Sequence, residues 1–173
     1  MGTRATITFQ DKDDPNAITI YTQYDGYPQC PGMGQKLIET LFKAWRLPRY
    51  EADEFAAAFV AANKAEQGGI RILADTNPEA WAKWSGIEYR YLVRPGGKTG
   101  VLSIACWETD AEDKWKLHSS GPLLTWLRDQ TACPIADPRR DTRVFQNHID
   151  ALDAYENGHP HPRTVKTPET QGA

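Results

Sequence analysis

A chain of 173 residues, 40% of them hydrophobic and 25% charged, is long enough to bury a core of its own and too apolar for wholesale disorder. Its net charge of −3 provides no global positive field for a phosphate backbone, which sets aside non-specific nucleic-acid binding. Cys30, Cys106 and Cys133 are odd in number and lack the paired short spacing of zinc sites, and no run approaches the roughly 18 apolar residues of a membrane span; a reduced, cytoplasmic, membrane-free protein is expected.

From Arg4 to Gln10, Ala5, Ile7 and Phe9 alternate with Thr6 and Thr8, the pattern of a strand with one buried face. A polar reversal over Asp11 to Asn16 leads into a second strand, Ile18 to Tyr24, which runs into Asp25-Gly26-Tyr27-Pro28. Apolar residues at Leu37, Ile38, Leu41, Phe42 and Trp45 predict a helix from about Gln35 to Arg46, and Phe55, Phe59 and Val60 predict another from about Glu51 to Glu66. Gly68-Gly69 stops the second helix, Ile70 to Ala74 reads as a short strand, and Asn77-Pro78 opens a brief helix carrying Trp81 and Trp84.

Ile87 to Arg94 and Val101 to Trp107 form the clearest hairpin, followed by an acidic bend over Asp110 to Asp113 and one more strand through Trp115 and Leu117. Pro122 to Gln130 and Thr142 to Glu156 have helical periodicity, Gly158 closes the latter, and His159 to Ala173 is a Pro- and Thr-rich tail. Hairpins interleaved with helices, without regular alternation, define an α+β class: an antiparallel or mixed sheet of five to six strands covered by helices, in one domain over residues 1–158 with a tail at 159–173.

Six tryptophans and seven tyrosines supply large amphipathic rings of the kind that anchor protein interfaces. The corner Tyr24-Asp25-Tyr27, with Trp107 and Trp115, is the candidate partner-binding surface. Asp25 would act as a general base only with a raised pKa and a positioned partner; an aspartate before glycine more simply bonds its own backbone in a turn. Gly32, Gly34 and Lys36 at a helix entry, and the basic cluster Arg139, Arg140 and Arg143, are candidate anion contacts; a plain loop-to-helix turn and Arg–Asp pairing on a solvated loop are the competing explanations. Gly97-Lys98-Thr99 does not complete a phosphate-binding loop, since Leu92 stands where the earlier glycine is required and strands flank it on both sides. His118, His148, His159 and His161 do not combine at ligand spacing, and no Gly-x-Ser-x-Gly elbow occurs, so neither a metal, a cofactor nor catalytic residues are expected, and a binding protein is favoured over an enzyme.

Thr3-Arg4, the hairpin after it and Gln23-Tyr24-Asp25-Gly26-Tyr27-Pro28 resemble a scattered family of short uncharacterised phage and prophage proteins. Its members open with Gly-Thr-Arg and carry a Gln-aromatic-Asp-Gly-Tyr-Pro run before a glycine and a helix. The likeness covers about the first 45 residues and, loosely, the Gly68-Gly69-Ile70 strand and the later hairpin; Cys30-Pro31 departs from the simpler glycine-rich link. It implies a mobile-element context in a host-cell cytoplasm and no catalytic residue. The expected role is an accessory protein that binds, and inhibits, a host defence or regulatory protein. A binder that sequesters a nucleotide signal is the alternative, and an enzyme acting on nucleotide or nucleic acid through Asp25 the third.

Overall fold

A computed structural model describes residues 2–12, 16–44, 50–64, 68–74, 86–96 and 101–132. Six strands form one mixed sheet: β1 (Ala5–Gln10), β2 (Ala17–Thr22), β3 (Ile70–Leu73), β4 (Tyr89–Pro95), β5 (Leu102–Thr109) and β6 (Trp115–Pro122). Their order is β3-β2-β1-β4-β5-β6, with β1 and β4 parallel at the centre and every other neighbouring pair antiparallel. The class is therefore α+β, as the interleaved pattern indicates.

Among the described residues three helices, α1 (Met33–Ala44), α2 (Ala52–Asn63) and α3 (Leu123–Ala132), supply the second layer. Helix α2 lies on β1 and β2, α3 lies on β5 and β6, and α1 packs against both helices. Period-two alternation sends Ala5, Ile7 and Phe9 of β1, Ile20 of β2, Tyr91 and Val93 of β4, and Ile104 and Cys106 of β5 to the helical side, where all are buried. Phe9 sits at the focus of this core, its ring centroid 6.3 Å from Phe55 and 5.9 Å from Phe59 in tilted contacts.

Polar ties fix the helices on the sheet. Glu51, at the N-cap of α2, makes no side-chain capping bond. The first helical amide, of Ala52, instead donates to Asp11 Oδ1 at 3.0 Å, so a residue of the first hairpin satisfies one of the orphan donors of this helix. Asn63 Nδ2 donates to the carbonyls of Lys36 and Phe59 and to Thr40 Oγ1, joining α2 to α1. Tyr50 Oη reaches the Val93 carbonyl at 3.1 Å, which seats the entry of α2 on β4.

Both sheet edges carry features that resist strand addition. β3 has only four residues and includes exposed Arg71; β6 carries exposed Lys116, a register shift opposite Cys106 and Trp107, and a terminal proline. The brief helix with Trp81 and Trp84, the Thr142 to Glu156 helix and the C-terminal tail lie outside the described residues.

Candidate functional site

The hydrogen-bonded register fixes which side chains share the sheet face away from α1–α3. Arg90 of β4 stands beside Trp107 of β5, which stands beside Leu117 of β6; one step toward the β5–β6 turn, Thr109 pairs with Trp115. Tyr91 and Cys106, the chain neighbours of Arg90 and Trp107, face the helices, so Arg90 and Trp107 face away from them. The Arg90 guanidinium carbon lies 4.3 Å from the Trp107 ring centroid and 5.4 Å from that of Trp115. A cation at these distances is attracted by the negative faces of both indoles, an effect of about 0.5–1 kcal/mol per contact at an exposed site.

The result is a cation-linked pair of half-buried indoles next to Leu117, which is 55% exposed. Leu92 and Ala105 continue the patch along the strands, and exposed Arg94 closes it beside Ser103. The exposed area stops at the centre of the sheet, where Thr6 and Thr19 on the same face are buried. The sequence thus points to both tryptophans, and the structure brings them together. It also adds Arg90 and Leu117, whose contribution could be read only from the pairing of the predicted hairpin.

The Tyr24–Tyr27 corner is built differently. Gln23 N donates to Gly69 O at 2.8 Å, Gly26 N to Thr3 O at 2.9 Å, and Tyr91 Oη to the buried Gly26 carbonyl at 2.7 Å. Burial pushes the Tyr91 hydroxyl well above its ordinary pKa, which keeps it a neutral donor for this bond. Asp25 has φ 53°, a left-handed conformation that aspartate tolerates better than most residues, and its carbonyl accepts from Lys36 Nζ at 3.4 Å. A Cβ on Gly26 would lie 2.7 Å from the Ala5 Cβ, so the corner closes directly over β1.

Tyr24 is the outward ring of this corner, 52% exposed, and lines an open recess of about 520 Å³ with Arg4, Gln23 and Glu88 at the end of the sheet. Tyr27 points elsewhere: a Cβ on Gly32 would come within 2.6 Å of its ring, so its aromatic face packs on the loop before α1. Tyr27 consequently does not join the indole pair in one aromatic surface. Tyr27 and the Gly26 carbonyl belong to the helical side, and Trp107 and Trp115 to the other.

At the entry of α1, the amides expected to cradle an anion already have acceptors. Gly32 N donates to Gln29 O at 2.6 Å, Met33 N to Tyr27 O at 2.8 Å and Gly34 N to Pro28 O at 3.1 Å. Gly32 is glycine because a side chain there would collide with the Tyr27 carbonyl. These residues make the loop-to-helix turn, and their amides are not offered to a ligand. Arg139, Arg140 and Arg143 lie outside the described residues.

One further polar group was not apparent in the sequence. Glu108 accepts from Tyr89 Oη at 3.4 Å and pairs with His118 Nδ1 at 3.4 Å, beside an open recess of about 420 Å³ that Lys116 also lines. Burial and then the Glu108 charge push the Tyr89 phenol up to about 12, and burial pushes the Cys106 thiol up to about 12 and the Cys30 thiol up to about 11. All three are protonated at neutral pH and serve as donors or packing groups rather than as anionic nucleophiles. Among the described residues no three His, Cys, Asp or Glu side chains are placed to hold a metal ion, and no helix is long and apolar enough to cross a membrane. No protein-family model, curated protein or solved structure matches this chain.

Proposed function

We propose that this chain is a phage- or mobile-element-borne accessory protein that works by binding a host protein in the cytoplasm, and that it blocks a defence or regulatory factor. The observation that carries the binding part is the Arg90-linked pair Trp107 and Trp115, held with exposed Leu117 on the sheet face away from the helices. Aromatic rings and arginine held in place on a rigid sheet give contact area at low conformational cost, the usual composition of an interface hot spot. The mobile-element context rests on the likeness of the first 45 or so residues to phage and prophage proteins.

On this reading the indole pair is the anchor and Tyr24 contributes at the margin, whereas Asp25 and Tyr27 hold the corner in shape. Sequestration of a nucleotide draws no support from the α1 entry, where the Gly32 and Gly34 amides are engaged by carbonyls. The test is capture from host lysate on immobilised protein, with Trp107→Ala as the comparison. A stoichiometric host protein retained by the wild type and lost from a folded Trp107→Ala variant supports the interface. Equal retention by both removes this face from the interface.

A further inference from the structure

A second cluster of side chains lies on the opposite side of the same strands from the indole pair, where a bulge in β6 re-aims a histidine. Ser119 pairs with Cys106 and Leu117 pairs with Trp107, so His118 is the extra residue between them. Leu117 stays on the face away from the helices, Ser119 bonds Trp126 of α3 on the helical side, and the bulge turns His118 to that side too, where Glu108 stands. His118 Nδ1 lies 3.4 Å from Glu108 Oε2, and its ring meets that of Tyr89 edge-on at 6.2 Å between centroids. Tyr89, the cross-strand partner of Glu108, donates from Oη to the other carboxylate oxygen, Oε1, at 3.4 Å. Burial and then the Glu108 charge push this phenol up to about 12, so it remains a donor at neutral pH. A phenol thus sets the carboxylate from one side, and the carboxylate meets the imidazole on the other.

A neutral imidazole has one N–H and one lone pair. With Nδ1 turned to the carboxylate, the proton is held there and the lone pair lies on Nε2, at the far edge of the ring. His118 lines the open recess of about 420 Å³ together with Lys116, and among the described residues no hydrogen bond occupies Nε2. Asp110 lines the recess as well, but its Oδ1 accepts the amides of Glu112 at 2.8 Å and Lys114 at 3.0 Å, which engage that carboxylate in the β5–β6 turn. We propose that His118 is a phosphoryl-acceptor site, charged by a small acyl phosphate. Nε2 attacks the phosphorus, the bond from phosphorus to the acyl oxygen breaks, and the carboxylate leaves with that electron pair. No proton moves: the ring keeps its Nδ1–H and gains a positive charge, which Glu108 balances as the orienting carboxylate of a triad does. Lys116 supplies a cation for the phosphoryl oxygens, a partner that transfer of a neutral acyl group would not use. A divalent metal is a poorer occupant, since among the described residues no third ligand joins Glu108 and His118. The site is independent of the binding role proposed above, because the indole pair faces the other way.

The experiment incubates the full chain with acetyl phosphate at mildly alkaline pH and follows the product by phosphorus NMR and peptide mass spectrometry. The expected product is an acid-labile phosphoramidate at His118, formed about tenfold faster or more than at His148, His159 and His161, which serve as references within the same chain. Glu108→Gln keeps the shape of the side chain and removes its charge. It should slow the reaction about tenfold, and nitrogen NMR of the ring should move from the Nδ1–H tautomer toward a mixture, a change that a merely structural role would not produce. Lys116→Gln should slow the reaction to a smaller degree, and His118→Gln should leave only the slow background. Glu108 and His118 are both partly exposed, and circular dichroism establishes that each variant is folded. Labelling of His118 no faster than of the other three histidines, an equal rate in Glu108→Gln, or acetylation of lysine as the sole product overturns the proposal.

Discussion

Arg90 and Tyr91 are consecutive on β4, and Cys106 and Trp107 are consecutive on β5, yet each pair divides between two surfaces of different character. On the helical side Tyr91 is fully buried, its hydroxyl is bonded to the Gly26 carbonyl, and its ring meets Trp126 edge-on at 6.0 Å between centroids. Cys106 beside it is fully buried, and Ser119 Oγ accepts from Trp126 Nε1 at 2.9 Å. On the other side Arg90 and Trp107 stay half-buried and meet through a cation and a ring face. Because side chains alternate along a strand, the same two strands hold the fold with one set of residues and present a surface with the other. Stability and recognition should therefore respond to different substitutions on the same elements.

The largest separation is expected at the focus of the core. Phe9→Ala removes a fully buried ring that touches Phe55 and Phe59, and its loss should cost about 3–5 kcal/mol in chemical denaturation. Tyr91→Phe keeps the ring and deletes only its hydroxyl, leaving the buried Gly26 carbonyl without that donor; about 1–3 kcal/mol is expected. Hydrogen exchange should locate the second effect, with faster exchange at the Gly26 amide, which donates to Thr3 O, and little change at β6. A Tyr91→Phe variant with undiminished stability would mean that the corner is held without this bond.

Alkaline pH probes the same side without mutation. Burial raises Cys106 from 9.0 to about 12 and Cys30 from 9.0 to about 11, so above pH 9 the unfolded chain releases protons that the folded chain retains. The protection is complete below pH 9 and falls as pH rises through 9 to 11 for Cys30 and 9 to 12 for Cys106. Each thiol contributes a slope of about 1.4 kcal/mol per pH unit within its window. Urea melts at stepped pH on the wild type and on Cys106→Ala test this: the variant should lose stability less steeply above pH 9.

How far these two sides were legible in the sequence follows from the range of the interactions that make them. Alternation in Arg4 to Gln10, Ile87 to Arg94 and Val101 to Trp107 reveals strands because a strand is read from its own residues, and β1, β4 and β5 are found there. The parallel pairing of β1 with β4 is not visible locally, since nothing in either segment encodes its distant neighbour. The second strand ends at Thr22 rather than Tyr24 because Gln23 turns to Gly69 and Thr22 Oγ1 bonds the Tyr24 carbonyl. Helix α1 starts at Met33, ahead of its apolar stripe, because the carbonyls of Tyr27 and Pro28 accept its first amides. Asp11 reads as a turn residue and proves to bond the first helical amide of α2, a role that depends on a helix far along the chain.

The candidate site divides in the same way. Trp107 and Trp115 stand out by composition, but Arg90 gains meaning only from the register that sets it beside Trp107. Tyr27 looks equivalent to Tyr24 in sequence and differs in place, because the Gly32 loop takes its ring while Tyr24 remains outside. The Glu108–His118 pair depends on the register shift that inserts His118 between the partners of Cys106 and Trp107, a feature with no local sequence signal.

The smallest expected change in stability is at Trp107, and it discriminates most sharply between the two sides. Trp107→Ala removes one of two indoles around Arg90 and leaves Trp115 at 5.4 Å, so the guanidinium keeps a ring partner and the core on the far side of β5 is untouched. Part of the Trp107 ring already faces water, and the expected loss is about 1 kcal/mol or less in denaturant. If the indole pair is the anchor of an interface, the same substitution should weaken capture of the host protein by 2 kcal/mol or more, roughly thirtyfold, because a hot-spot ring is fully desolvated only in the complex. A loss of stability comparable to that of Phe9→Ala would place Trp107 among the structural residues. A negligible loss in both measurements would show that stacking Arg90 on an indole is surface packing without a recognition role.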